Sequence, residues 1–247
     1  MSRIRAAGIH FLCSIVVALL CGGLIFGLAY PWPVSVALGV IPVFLMLLGI
    51  DVTIGPFLTL LVFNPKKKEL KWDLLIIVIL QILALVYGLH AIYVARPVYM
   101  VFNTDRFDLV LANDLKQKNI SKVKEEQFRH IPLLGMHVVA AKRPEDAQER
   151  GEILFSALNG GDDLPQMPQY YVSYKRQKSQ VLAKLLPLKQ LFSYNKGNEE
   201  YLSELLKIYP EDKYGFLPLR GKDRDLTAIV KKDDGTVVAL KNLNPWK

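Results

Sequence analysis

Residues 49–63, GIDVTIGPFLTLLVF, place one carboxylate, Asp51, inside a long apolar run, with Gly55-Pro56 shortly after it. An ionisable group in a membrane segment costs about 2.5–3.5 kcal/mol on insertion scales, and it usually faces a bundle interior, a water-filled cavity or a partner. Gly-Pro loosens a helix, because proline lacks an N–H and its ring crowds the preceding turn. Two readings follow. Asp51 is a functional group within a bundle, or it sits at a membrane edge and marks where hydrocarbon ends.

The apolar character extends outward from this stretch. Between Ala6 and Ile50 there is no Asp, Glu, Lys or Arg. Residues 8–30 are long enough to cross a hydrocarbon core of about 30 Å. They outrun the apolar part of a cleaved signal peptide, about 7–15 residues. Gly22-Gly23 and Gly27 favour close helix packing in lipid. Tyr30-Pro31-Trp32-Pro33 reads as a turn whose aromatics suit the membrane–water interface. Residues 34–63 would form a helix of about 45 Å, more than one bilayer needs. The expectation is therefore a span to about Ile50, then a continuation kinked at Gly55-Pro56. Residues 64–71 are a basic loop, and residues 73–95 are a third span. Gln81 and His90 within it are expected to be packing or interfacial groups.

Arg3 and Arg5 lie on one side of the membrane, and two spans later Lys66, Lys67, Lys68 and Lys71 lie on the same side. Lysine and arginine in short loops favour the cytoplasm. Three spans then deliver residues 97–247 to the opposite face. In this frame Asp51 lies about 27 Å along a helix that starts after Pro33, in the cytoplasmic half of the membrane.

The 247-residue chain carries a net charge of +8 and is 51% hydrophobic. Residues 97–247 hold 24 Lys and Arg against 20 Asp and Glu, a balance of +4 with both signs mixed. That is a solvated surface; a nucleic-acid footprint would cluster its charge with aromatics or a motif. Cys13 and Cys21 are the only cysteines. On a helix they stand about 12 Å apart, too far for a disulfide.

Arg96-Pro97 ends the third span, since the residue before proline avoids helix. VYMVF, residues 98–102, and residues 107–111 read as paired strands, with Asn103-Thr104-Asp105 between them. Residues 136–141 read as a strand and 144–158 as a helix stopped by Gly160-Gly161, with Ile153, Leu154 and Leu158 as its packed stripe. Residues 162–174 read as a loop. Asn198 is expected to cap a helix reaching Tyr209. Asp234-Gly235 signals a hairpin between residues 226–231 and 236–240. The whole is a membrane protein: a transmembrane region, residues 1–96, then a small extracytoplasmic α+β domain, residues 97–247.

No phosphate-binding loop, dinucleotide fingerprint, nucleophile elbow or zinc-protease pattern occurs. His130 and His137 read as surface or strand residues. Asp223 and Asp225 flank Arg224 as a loop charge cluster without metal-ligand spacing. Asp105-Arg106 reads as a local ion pair. The expectation is no catalytic residue, no metal and no cofactor.

The order of motifs from Gly49 to Phe107 resembles the TfpX/TfpZ family of type IV pilin accessory proteins, also called FimB-like fimbrial assembly proteins. The matching pieces are Asp51 with Gly55-Pro56 and Leu58-Thr59-Leu60, Pro65 with its lysines, Asp73-Leu74, Gln81, Tyr87-Gly88, Arg96-Pro97 and Val101-Phe102 with Asp105-Arg106-Phe107. The resemblance implies a non-enzymatic inner-membrane factor that helps a major pilin be stabilised or assembled into a pilus, with twitching motility and adhesion downstream. Its partners would be the pilin, other inner-membrane assembly proteins and the membrane, not nucleic acid. Asp51, in this view, pairs with the pilin's terminal amine or a polar group near it. A subunit of a membrane enzyme or transporter acting on a surface polymer or on pilin is the alternative.

Overall fold

A computed structural model describes residues 2–246. Helix α1, Arg3–Leu24, continues through a wider turn, Ile25–Ala29. It begins ahead of residue 8 because the Ser2 hydroxyl caps it, accepting from Arg5 N–H. A short helix, α2, Val34–Ala37, follows, and then α3, Val40–Val62, and α4, Leu70–Val94. The three long helices are each long and apolar enough to cross a membrane.

The second apolar run does not divide at Gly55-Pro56 as expected. It divides at Gly39, whose φ of +63° puts it in the left-handed region, where glycine alone meets no Cβ clash. Helix α3 then runs unbroken through Pro56. At 23 residues it is about 35 Å long, a match for one span.

The chain forms two compact units. One contains α1, α3 and α4. Helix α3 packs against both neighbours: the Phe44 ring stands edge-on to Phe26 and lies over Gly22, and Leu47 covers Gly88. Gly23 and Gly27 face open space, so of these glycines only Gly22 admits a neighbour. The Tyr30 hydroxyl donates to the Ile92 carbonyl at 2.8 Å, tying the end of α1 to the end of α4. Outward side chains such as Leu19, Met46 and Leu80 are apolar and exposed. Helices apolar outside as well as inside require an apolar solvent.

The second unit comprises Trp32–Leu38 and the residues from Arg96 onward. It is a mixed α/β domain around one seven-stranded sheet, ordered β4-β3-β1-β2-β5-β6-β7. The elements in chain order are β1, Pro97–Asn103; β2, Arg106–Leu111; α5, Gln117–Ile120; β3, His137–Ala141; α6, Ala147–Leu158; β4, Tyr171–Ser173; α7, Lys178–Ala183; α8, Gln190–Tyr194; α9, Glu199–Ile208; β5, Tyr214–Arg220; β6, Leu226–Lys231; and β7, Val237–Lys241. Strands β1 and β2 pair antiparallel, β3 runs parallel to β1, and β5 runs parallel to β2. Every residue of β1 is buried. Its sequence is apolar without alternation because both faces are covered. Met100 and Phe102 meet Val34 and Ala37 of α2 and Val181 of α7 on one face. Val101 meets Leu115, Val123 and Phe128 on the other. Helices α8 and α9 cover the far end of the sheet through Leu191, Leu202 and Leu205.

Helix α2 thus completes the core of a domain that otherwise begins sixty residues later. One carbonyl, that of Ala37, accepts from the backbone N–H groups of Lys222, Asp223 and Arg224, at 3.0, 2.9 and 3.2 Å. Gly221 allows the approach: a Cβ there would fall 2.1 Å from the Arg224 oxygen and 2.6 Å from the Ala37 oxygen. Asp225 braces the same turn, accepting from Gly221 N–H at 3.0 Å and from the Trp246 indole at 2.6 Å.

Three local expectations are corrected. On α6 only Ile153 packs inward, while Leu154 and Leu158 are exposed at 62% and 76%. Helical spacing found an apolar face but not its direction. Asn198 makes no side-chain cap; the Glu199 carboxylate accepts from Gly197 N–H instead, at 2.9 Å. The 162–174 loop contains the edge strand β4 and starts at a buried acid, Asp162. Burial opposes its ionisation, but Lys116, Lys118 and Asn119, at 2.5, 3.1 and 3.0 Å, overcome this and hold its carboxyl below the usual range.

Two outcomes follow for purified protein in detergent. Gly221→Ala forces two backbone carbonyls aside and lowers stability by about 1–3 kcal/mol, read as an earlier thermal transition. Asp162→Asn lowers stability at neutral pH by about 1–3 kcal/mol. The folded pKa of Asp162 lies below the ordinary 3.8. Its contribution is therefore complete above that value and is lost as pH falls through the folded pKa. Melting curves of wild type and variant should stay apart above about pH 4 and draw together only as pH falls further below it.

Candidate functional site

Asp51 is the twelfth residue of α3, about 17 Å from its start. It stands at the middle of the helix, not about 27 Å along in one half, because Gly39 starts the helix later than Pro33 would.

Its partner comes from α4. Gln81 Nε2 donates to the Asp51 carbonyl at 3.0 Å and, more weakly, to Oδ1 at 3.4 Å. Gly55, one turn on, lets that amide pass: a Cβ there would fall 2.0 Å from Gln81 Nε2. Pro56 is buried within the helix and offers no N–H to the carbonyl four residues back. Thr59, another turn along and 3% exposed, shares a 2.6 Å hydrogen bond with His10 Nδ1 of α1. Residues 51, 55 and 59 recur every four positions and so form one stripe of α3.

Asp51, Gln81, Thr59 and His10 line one groove of about 440 Å³, walled by apolar residues of α1 and α4 such as Val17, Val78 and Leu85. Sequence reading singled out Asp51, Gly55 and Pro56 here. It treated Gln81 as packing and gave Thr59 and His10 no role. The available signal was the Asp-Gly-Thr stripe at helical spacing.

The other expected residues do not join this set. Arg96 and Pro97 stand at the start of β1, where the buried Arg96 guanidinium donates to the Pro132 carbonyl at 2.7 Å. Asp105 and Arg106 stand at the strand's opposite end as a loose pair at 3.8 Å. Arg106 also approaches Asp108, which is buried and held at 2.6 Å by Arg220. Burial, only partly offset by Arg106 and Arg220, pushes the Asp108 carboxyl above its ordinary value. These contacts fix the β1–β2 turn and the neighbouring end of β5. Among the described residues no group of three or more His, Cys, Asp or Glu gathers as a metal set. Cys13 and Cys21 are free thiols.

Residues 1–39 match the family described as fimbrial assembly protein FimB. Two proteins of Dichelobacter nodosus, the fimbrial assembly proteins of serogroups I and E1, are each 37% identical to this chain. Their matches span 190 and 191 residues, 76% of this chain and 73% and 74% of theirs. The fimbrial assembly protein of serogroups C1 and C2 from the same organism is 42% identical over 113 residues, 45% of this chain and 86% of its own. No solved structure matches significantly. With more than a third of residues identical across three quarters of its length, the chain belongs to the FimB family of fimbrial assembly proteins.

Proposed function

We propose that this protein is a multi-pass inner-membrane accessory factor of the TfpX/TfpZ type, which assists assembly of a type IV pilin without catalysis and thereby supports piliation and twitching. The groove of Asp51, Gln81, Thr59 and His10 is the observation that carries the reading. It offers an apolar trough with a strip of hydrogen-bonding groups that runs from Asp51 at the middle of α3 to Thr59 near its end. Its natural occupant is another membrane helix with a donor at matching depth. A pilin awaiting assembly presents such a helix. The contact is then with a group on the buried part of that helix, not with a terminal amine at the membrane face.

In this reading the amino terminus and Lys66, Lys67, Lys68 and Lys71 are cytoplasmic, and the domain from Arg96 is periplasmic. The positive-inside bias of the short loops supports that orientation. Alkaline phosphatase joined after residue 247 should be active in cells, and joined after Lys68 inactive. The opposite pattern places the domain in the cytoplasm and removes the pilus reading.

The groove is tested by three changes with insertion and protein level monitored. Asp51→Asn removes the charge at constant size, and Asp51→Glu retains it. Gly55→Ala drives the Gln81 amide off Asp51 without touching either polar group. A charge-assisted hydrogen bond contributes about 1.5–3 kcal/mol, so its loss weakens association about tenfold or more. Asp51→Asn should cut pilin crosslinking and surface pili by that order, Asp51→Glu should be partly tolerated, and Gly55→Ala should fall between. Wild-type crosslinking and piliation in Asp51→Asn would sink the mechanism and leave Asp51 a structural residue.

A further inference from the structure

The sheet domain has a concave site of its own. A pocket of about 540 Å³ lies between the β1–β2 turn, Arg143 and Pro144 after β3, and α6. Ile153, Leu154 and Ala157 of α6 form its apolar wall with Leu164. Three arginines line it, Arg106, Arg143 and Arg150, together with two acids, Asp105 and Asp163.

The two acids are already engaged, Asp105 with Arg106 at 3.8 Å and Asp163 with Arg220 at 3.6 Å. Arg150 reaches no carboxylate among the described residues. Its Nη1 donates to the Pro144 and Glu145 carbonyls at 3.1 and 2.6 Å, which holds the guanidinium in place. Arg143 makes no hydrogen bond or ion pair among the described residues, although acids stand near it in sequence. Those acids have other partners: Glu145 pairs with Lys142, Asp146 accepts from Glu149 N–H, and Glu149 accepts from the Tyr170 hydroxyl. Two guanidiniums thus line one apolar-walled pocket with no carboxylate between them. Arg150, Leu154 and Leu158 follow one another at four-residue steps and form one stripe of α6. The apolar side chains of this face, Leu154, Phe155 and Leu158, are all exposed.

We infer that this pocket and stripe bind a segment of a partner protein that carries an Asp or Glu side chain about one helical turn from large apolar side chains. The carboxylate enters the pocket and takes charge-assisted hydrogen bonds from Arg143 and Arg150, whose planar forks match it. The apolar side chains cover Leu154 and Leu158. An anionic bilayer suits the site less well, because a flat surface does not enter a concave pocket and Glu145, Asp146, Glu149 and Glu152 repel it. The inference does not depend on what fills the groove among the long helices.

The probe comes from random peptides displayed on phage and selected on the full-length chain in detergent, after depletion on empty micelles. Selected peptides should share an acidic residue beside large apolar ones. Arg143→Gln with Arg150→Gln should weaken their binding about tenfold or more, and so should Gln in place of the peptide's acid. The two changes together should cost little more than either alone. Leu154→Ser should weaken binding several-fold. All three altered side chains are exposed, and an unchanged thermal transition checks that the fold is kept. No enriched peptide, peptides without an acid, or equal binding to the arginine variant overturns the inference. Self-association that Leu158→Ser abolishes overturns it in favour of a second copy. A fluorophore on Leu158→Cys, with Cys13→Ser and Cys21→Ser, that nitroxide lipids quench in phosphatidylglycerol vesicles overturns it in favour of the membrane.

Discussion

The Ala37 carbonyl is the point on which the domain depends. A carbonyl oxygen has two lone pairs, and here it receives three backbone N–H groups from consecutive residues. Such sharing is possible only because the 221–225 turn curls its amides to one point. Gly221 leaves room for the curl, and Asp225 holds its start. Val34 and Ala37 then seal the face of β1, β2, β5 and β6 that α7 alone leaves partly open. The domain is not an appendage that begins at Pro97. Its core closes only when a segment between the first two long helices returns to it, a long-range closure whose entropy cost grows only slowly with loop length.

Much of this was legible in the sequence. A run without charge from Ala6 to Ile50 has no other stable home than a membrane, and the third span announced itself by length. VYMVF and Asp234-Gly235 gave β1 and the β6–β7 hairpin, because two-sided burial and a positive-φ turn each leave a compositional mark. What stayed hidden was long-range. Nothing local to Val34-Ser35-Val36-Ala37 says that it belongs to a sheet built from residue 97 onward. Gly39 was outweighed by Gly55-Pro56, since a missing N–H looks more disruptive than a glycine. Yet lipid favours an unbroken helix, in which every other backbone group stays satisfied. Leu154 and Leu158 have helical spacing, but spacing cannot say which face turns inward.

The candidate site shows the same division. Asp51 stood out because a carboxylate in an apolar run is rare and costly. Its neighbours did not, because Gln81, Thr59 and His10 are individually unremarkable in membrane helices. Their meaning comes from packing: Gln81 reaches Asp51 only across Gly55, and His10 reaches Thr59 only because α1 lies against α3. Gly55 therefore acts by what it lacks. Sequence reading assigned it to bending the helix, whereas its missing Cβ is what lets a side chain from α4 cross.

An ionised carboxylate offers about four lone-pair sites. Gln81 supplies one amide nitrogen, and its shorter bond goes to the Asp51 backbone, with only a 3.4 Å approach to Oδ1. Asp51 thus retains acceptor capacity beyond this contact, and it lines the groove. A carboxylate with so few partners at the middle of an apolar helix is a poor way to stabilise a bundle, because desolvation outweighs what one long hydrogen bond returns. Apolar residues of similar volume would make a more stable helix trio. The groove beside Asp51 leaves room for a further hydrogen-bond donor, and a donor carried on a membrane segment would not have to cross the hydrocarbon alone.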